Sequence, residues 1–210
     1  PENYGQFDYI IIQEQSSTAG YLSSEGVLEA YEFGKDLLDK KFANDVIHKL
    51  EILLSQLEQN LVLNQLNKLS ETQLNARWTI LESIFDKIGH LYLYCEQPVV
   101  AALEESVAKA CPNNEDLINV LHNPKYATKL KFNAIQKQHL ETLIRLGELK
   151  YNIHDKFGPI FEEFNSFAQL LAKKFNISSE NILHLTHNEI IQLISDDNVL
   201  NKSKIEARMN

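Results

Sequence analysis

Residues 70–92, SETQLNARWTILESIFDKIGHLY, decide the fold class. Their apolar positions recur at alternating spacings of four and three, which is the period of one face of an α-helix. These positions are Leu74, Trp78, Leu81, Phe85, Ile88 and Tyr92. Ser70 and Gln73 have the spacing of a capping box, in which two side chains bond reciprocally to backbone amides at a helix start. The stretch therefore predicts one long helix of a packed bundle.

Apolar residues with the same alternating spacing of three and four continue both upstream and downstream of this helix. Upstream, the apolar stripe consists of Val46, Leu50, Leu53, Leu57 and Leu61. Downstream, it consists of Leu146, Leu149, Ile153, Phe157, Ile160, Phe164, Phe167 and Leu171. The second stripe keeps its phase across Gly158-Pro159, although proline removes a helix hydrogen bond. We expect a kink or brief break there, within one rod that begins near Thr128.

Shorter elements fill the rest of the chain. Pro98 is expected to open a helix, because proline is pre-organised for a first helical turn. A short helix should pass through Leu117 and Val120, ahead of a loop at Asn123-Pro124. Near the C-terminus, Thr186 and Glu189 have the spacing of a second capping box, which predicts a small helix after residue 186.

The N-terminal segment differs from the rest. Residues 7–12, FDYIII, are β-branched and aromatic and precede a Ser/Thr/Gly turn cluster, so they predict a strand. A single strand leaves backbone groups unpaired. It must therefore pair with a short neighbour, with another copy of the chain, or with another part of a larger protein.

These patterns predict an all-α fold: a bundle of long antiparallel helices with one short N-terminal strand or hairpin and a small C-terminal helical subdomain. The expected segments are a strand and turn at 1–23, the bundle at 24–175 and a small helical segment at 176–210. The chain starts at Pro1 and stops at Asn210 inside a helical pattern. We expect it to be a middle piece of a longer polypeptide.

Composition narrows the class of partner. The 210 residues are 44% hydrophobic and 23% charged, with only 7 Gly and 5 Pro, which favours long helices over a sandwich or barrel. The net charge of -9 argues against nucleic acid and against an anionic membrane surface. Cys95 and Cys111 lie too far apart for a Cys-x-x-Cys motif. They are typical of reduced thiols in a cytoplasmic protein.

Residues capable of catalysis or metal binding are present but do not form a recognisable motif. His184 and His187 are three residues apart, yet Thr186 looks like a helix cap between them and nearby ligands are lacking. His139 and His154 lie on the long rod near Glu141 and Asp155, whereas His90 and His122 have less context. Adjacent helix residues point about 100° apart. For that reason the carboxylate pairs at 104–105, 162–163 and 196–197 are not expected to converge.

No phosphate-binding glycine motif, nucleophile elbow or Cys/His nucleophile pair is recognisable in the sequence. Three of the glycines, Gly34, Gly89 and Gly147, are expected inside helices, where close packing explains them. We therefore assign no catalytic, cofactor-binding or metal-binding residue to this chain, and expect that the segment alone is not an enzyme.

Residues 167–190, FAQLLAKKFNISSENILHLTHNEI, resemble a segment of the phosphoenolpyruvate-utilising enzymes. That family includes phosphoenolpyruvate synthase, pyruvate phosphate dikinase and the rifampicin phosphotransferases. In it, a helix, a short turn and a second helix lie just before the mobile histidine domain. Residues 66–74, LNKLSETQL, resemble the opening of a long helix in other members. The strand and the long helices fall in matching order.

The resemblance implies a helical connector that spaces an ATP-binding module from a swivelling phosphohistidine domain. It implies ATP and Mg²⁺ for the parent protein only, and the flanking domains of the same polypeptide as partners. No histidine here has the glycine- and serine-rich context of the carrier histidine, so no catalytic residue carries over. Two alternatives stay open: a free-standing helical module that binds a partner through an apolar groove, and a small autonomous enzyme.

Overall fold

The computed structural model describes residues 9–14, 17–59 and 66–195. Within these ranges the chain is mostly helical, which confirms the expected fold class. The helices, in chain order, are α1 (Ser24–Asp36), α2 (Lys40–Glu58), α3 (Glu71–Leu93), α4 (Ala101–Ala108), α5 (Asn114–His122), α6 (Ala134–His154), α7 (Phe157–Phe175), α8 (Ser179–Leu183) and α9 (His187–Ile194). Short 3₁₀ helices occupy Leu66–Lys68 and Pro124–Lys129.

Two short strands precede the helices. Strand β1 (Tyr9–Glu14) pairs antiparallel with β2 (Ser17–Leu22), and the register places Tyr9 opposite Leu22 and Glu14 opposite Ser17. Antiparallel pairing gives the facing backbone groups of both strands hydrogen-bond partners. Residues 7 and 8, the start of the expected strand, lie outside the described part of the chain.

Both capping boxes are confirmed. At the start of α3, the amide of Ser70 donates to Gln73 Oε1 at 2.9 Å and the amide of Gln73 donates to Ser70 Oγ at 3.3 Å. At the start of α9, the amide of Thr186 donates to Glu189 Oε2 at 2.8 Å, and Thr186 Oγ1 accepts from the amide of Glu189. Each box satisfies amides that the helix itself leaves without a partner.

The buried face of α2 differs from the expected stripe at one position. Val46, Leu50 and Leu57 are buried, as expected, but Leu53 is 46% exposed and Leu54 takes its place in the core. Residues 50, 54 and 57 also have helical spacing, so periodicity alone allowed either choice. Leu61 lies outside the described residues.

Two expected helix starts are wrong. The helix assigned to Pro98 begins at Ala101, after a turn. The rod expected from Thr128 begins as α6 at Ala134, because Asn133 caps it and residues 124–129 form a 3₁₀ helix. There the amide of Gln136 donates to Asn133 Oδ1 at 2.9 Å.

The break expected at Gly158-Pro159 falls slightly earlier in the chain. Helix α6 ends at His154 and α7 begins at Phe157. Pro159 therefore lies in the first turn of α7, where its missing amide hydrogen costs no helix hydrogen bond. The proline fits the start of the second helix better than the gap between the two.

The described residues form two compact units. The first draws on Pro1–Leu54 and His90–Ile153, and the second on Ser55–Gly89 and His154–Asn210. The linear segments 1–23, 24–175 and 176–210 stay a prediction. The largest fully buried side chains that the structure describes in the first unit are Leu37, Ile47, Leu103, Leu146 and Ile153. Those of the second unit are Leu81, Ile88, Ile160, Phe167, Leu171, Ile182 and Ile190.

In the first unit, α1 approaches the backbone at Val99 closely. A Cβ atom on Gly34 would lie 2.0 Å from the Val99 carbonyl oxygen, so only a hydrogen atom fits at this point of the helix. In the second unit, aromatic side chains of α3 and α7 meet edge to face. Trp78 contacts Phe164 and Phe167 at centroid distances of 5.2 and 5.4 Å. Such pairs add to the apolar burial that holds the two helices together.

Candidate functional site

The strongest arrangement of polar groups in the first unit joins three separate segments. His139 on α6 is 5% exposed. Its Nδ1 atom lies 2.7 Å from the hydroxyl of Ser106 on α4, and its Nε2 atom lies 3.1 Å from the carbonyl oxygen of Leu38, just after α1. The side-chain amide of Gln138 also donates to the Leu38 carbonyl, at 3.4 Å.

The carbonyl of Leu38 determines which ring nitrogen of His139 carries hydrogen. A carbonyl oxygen only accepts, so the Nε2 atom must be the donor in that contact. In the neutral ring, Nδ1 then carries no hydrogen and presents a lone pair, which accepts a hydrogen bond from the Ser106 hydroxyl. The result is a serine hydrogen-bonded to an imidazole that a third group holds in place.

A second cluster in the first unit contains ionisable side chains. Lys150 Nζ lies 2.6 Å from Glu96 Oε1 and 5.4 Å from the centroid of the Tyr92 ring. The side-chain amide of Gln97 donates to the carboxylate of Glu104. All of these groups lie near the end of α3 and on the facing helices α4 and α6.

Several pKa values in this cluster depart from their ordinary values. Burial raises the pKa of Glu104, with the nearby Glu96 charge adding to the rise and the Gln97 hydrogen bond opposing it. Burial, and then the hydrogen bond with Glu96, raise the pKa of Tyr92. Burial opposes the charged form of Lys150, but its hydrogen bond and attraction to Glu96 outweigh this and raise its pKa. Such concentrations of shifted pKa values occur at functional sites and also in structural ion-pair networks.

The cysteines lie in different environments. Cys95 is buried next to this cluster, and burial raises the pKa of its thiol to about 12. Cys111 is half-buried, its thiol lies 3.6 Å from the Val107 carbonyl oxygen, and burial followed by the charge of Asp116 raises its pKa. Raised pKa values keep both thiols protonated, which is the opposite of what a nucleophilic cysteine needs.

In the second unit, the dominant polar feature is an ion pair. Arg77 on α3 binds Glu163 on α7 through Nε–Oε1 and Nη2–Oε2 contacts of 2.6 Å each. Their side chains are 9% and 3% exposed. This paired geometry matches the fork of the guanidinium to the two carboxylate oxygens. The pair crosses from one helix to the other inside the apolar core.

The structure separates the two C-terminal histidines that were considered as metal ligands. His187 begins α9, and its Nδ1 atom contacts the carboxylate of Glu82 on α3. His184 lies before the cap at Thr186, outside that helix. In the described part of the chain, no group of three or more His, Cys, Asp or Glu side chains is placed to hold a metal ion.

The remaining sequence candidates do not converge on a site either. Glu162 is exposed whereas Glu163 is buried against Arg77, and Glu104 meets Gln97 whereas Glu105 meets the hydroxyl of Tyr31. His122 and His154 are exposed, and His90 is half-buried. The pair at 196–197 lies outside the described residues.

Sequence reasoning considered His139 but missed its partner, because Ser106 is 33 positions away. It also missed Arg77, which sits between apolar neighbours on α3. One local signal was available, since a charged residue directly before the buried Trp78 must either reach solvent or find a partner.

No family model, curated protein or solved structure was found to match this chain. Among the helices that the structure describes, none is both long enough and apolar enough to span a membrane.

Proposed function

We propose that this chain is a non-catalytic helical module with a mechanical role, which holds other domains of the same polypeptide at a set spacing. The buried Arg77–Glu163 pair carries the proposal. Apolar side chains of similar volume can replace a buried ion pair without loss of stability. The pair is therefore better suited to fixing one register of α3 against α7, which a rigid spacer requires.

The first unit supports the same role. His139 connects α6 to α4 through Ser106 and to the end of α1 through the Leu38 carbonyl. Partners on both sides of the ring resist sliding of α6 along its neighbours, because any shift would leave a buried nitrogen without a hydrogen bond. Each unit thus has a polar contact that favours one packing arrangement over its near alternatives.

More specifically, we propose the connector of a phosphoenolpyruvate-utilising phosphotransferase or synthase-like protein. The support is the resemblance of residues 167–190, which here cover the end of α7, an αL cap at Asn176, helix α8 and the first half of α9. On this proposal, ATP and Mg²⁺ belong to the parent protein, the partners are its flanking domains, and the protein is cytoplasmic. Pairing of two copies along the N-terminal strand is compatible with this role.

The reading frame around this sequence provides the first test. The connector proposal expects an ATP-grasp sequence before residue 1 and a histidine flanked by Gly, Ser or Thr after residue 210. A natural start near residue 1 and a stop codon near residue 210 would overturn it.

A second test uses the full-length protein. Glu163→Gln should leave nucleotide binding unchanged while phosphoryl transfer to the carrier histidine falls, because only the spacing is disturbed. Glu71→Gln is the matched control, since Glu71 lies in an exposed pair with Lys174. Equal transfer in both variants would contradict a mechanical role for this module.

A specific observation favours one second candidate, a free-standing interaction module. Among the residues of the first unit whose burial the structure describes, four large apolar side chains are more than half exposed: Leu28, Ile118, Ile135 and Tyr151. They lie on α1, α5 and α6, and apolar side chains on exposed helix faces are the anchors of helix-in-groove recognition. An open reading frame restricted to this chain would favour that candidate over the connector.

A further inference from the structure

The Ser106–His139 contact has the geometry for a chemical reaction, in addition to the mechanical role proposed above. We infer that Ser106 is a nucleophilic serine, with His139 as its base, that accepts an acyl group from small, uncharged activated esters. The acceptor atom is Ser106 Oγ, and the group that removes its hydrogen is His139 Nδ1, 2.7 Å away.

Four other hydroxyls, three on helices and one directly after a helix, have a different partner. The side chains of Thr79, Thr142, Ser166 and Ser195 each donate to the carbonyl four residues earlier, at 2.9 to 3.1 Å. A backbone carbonyl cannot take a proton from a hydroxyl at any ordinary pH. An imidazole can, so Ser106 is the one of these five hydroxyls whose hydrogen bond leads to a base.

The imidazole is also oriented for this task. The Leu38 carbonyl accepts from Nε2 at 3.1 Å, which leaves the Nδ1 lone pair directed at Ser106. When Nδ1 gains a proton, the Nε2–H bond to Leu38 is retained and strengthened by the positive charge. A nucleophile, a base and a group that holds the base are thereby assembled from three segments.

The surroundings define the class of reagent. Ser106 is half-buried, whereas His139 and the neighbours Leu103 and Val107 are buried. The partial burial of Ser106 limits the size of a reagent, and its buried apolar neighbours along α4 disfavour a charged one. Small uncharged acyl groups satisfy both conditions, because a charged group would have to be desolvated to approach.

The reaction is a simple acyl transfer. Ser106 Oγ attacks the ester carbonyl carbon while its hydrogen passes to His139 Nδ1. The bond from carbon to the leaving oxygen then breaks, and Nδ1 returns the proton to that oxygen, giving an acyl-serine and a free alcohol. Backbone amides beyond the first turn of a helix bond to its own carbonyls, so α4 offers no amide to a developing oxyanion at Ser106. We expect one acylation per chain and little turnover.

The test exposes the folded chain to p-nitrophenyl acetate and maps acetylated peptides by mass spectrometry over time. Because a positioned base accelerates such a step by roughly 100-fold or more, acetylation of Ser106 should exceed that of Ser166 by about that factor. Ser106→Ala should remove this adduct, and Ser166→Ala should leave it unchanged.

His139→Gln should reduce the acetylation rate of Ser106 to about that of Ser166, with far-UV circular dichroism confirming that the variant is folded. An undiminished rate in the folded variant would overturn the role of His139. The comparison within the wild-type chain needs no variant: equal rates at Ser106 and Ser166 would overturn the inference outright.

Discussion

Arg77 and Glu163 face each other across the second unit, with both nitrogen–oxygen contacts at 2.6 Å and both side chains more than nine-tenths buried. They lie 86 residues apart in the sequence. Two desolvated charges in this geometry depend on each other, because removal of one leaves the other buried without compensation.

We therefore expect Glu163→Gln to lower the free energy of unfolding by about 3 kcal/mol. The double variant Arg77→Met/Glu163→Leu should recover most of that loss, because no charge then stays buried. Urea unfolding followed by the fluorescence of Trp78, the single tryptophan, measures both effects in the unit concerned. The exposed pair of Lys174 and Glu71 is the control, and Glu71→Gln should cost at most about 1 kcal/mol. Equal losses in Glu163→Gln and Glu71→Gln would contradict the prediction.

Two helical glycines of the first unit should respond oppositely to alanine. At Gly34 a Cβ would lie 2.0 Å from a backbone oxygen, so Gly34→Ala should cost about 3 kcal/mol through overpacking. At Gly147 the added carbon would meet no atom within 4 Å beyond the adjoining backbone of its own helix, and Gly147→Ala should raise the free energy of unfolding by about 1 kcal/mol through helix propensity. Thermal melts by circular dichroism give both values. A melting temperature that rises in both variants would refute the close approach of α1 to Val99.

The two thiols should differ in their reactivity at pH 8. A water-soluble disulfide reagent should modify the half-buried Cys111 in the folded protein, whereas the buried Cys95 should react only after unfolding. Peptide mapping after a short exposure separates the two positions. Equal modification of both in the folded state would show that Cys95 is accessible.

Cys95 should also make stability depend on pH. Its pKa is about 12 in the fold and close to 9 when unfolded, so the unfolded state binds fewer protons between these values. The stabilising effect of the protonated thiol is complete below pH 9 and is lost as pH rises toward 12. Between pH 8 and pH 10 we expect the wild-type protein to lose about 1 kcal/mol more than Cys95→Ala, measured by urea unfolding. Parallel pH profiles in the two proteins would exclude this cause.

The capping box of α9 allows a test of a short helix. Thr186→Ala removes an acceptor for the amide of Glu189 and should lower the free energy of unfolding by about 1 kcal/mol. Thr186→Ser keeps a hydroxyl at this position and should preserve most of that stability. Ser179→Ala, at an exposed position in α8, is the matched control with little expected effect. Unfolding followed by Trp78 fluorescence is again the measurement, and a Thr186→Ala protein as stable as the control would show that the box contributes nothing.

Local patterns predicted the helices well because their causes are local. The spacing of apolar residues around Trp78 depends only on residues three and four positions apart. The capping pairs that begin at Ser70 and Thr186 likewise involve residues three positions apart. The misplaced start at Thr128 has a local cause as well. The competing cap at Asn133, paired with Gln136, was present in the sequence but was not recognised.

The contacts that define the candidate site could not be predicted in the same way. Periodicity shows that α6 has an apolar face, but it does not reveal that His139 on that helix meets Ser106 on α4 and the carbonyl of Leu38. The same holds for Arg77, whose partner lies on a helix that begins 80 residues later in a pattern dominated by phenylalanine. Pairing between distant segments depends on the three-dimensional packing, which a single sequence encodes only indirectly.

The contact between His139 and Leu38 has a consequence for how this chain can vary among related proteins. His139 contributes its side chain, but Leu38 contributes only a backbone carbonyl, which every amino acid possesses. Position 38 can therefore change its identity and still hold the ring, while position 139 has few substitutes. In a set of homologues, we expect histidine at 139 to persist next to a variable residue 38.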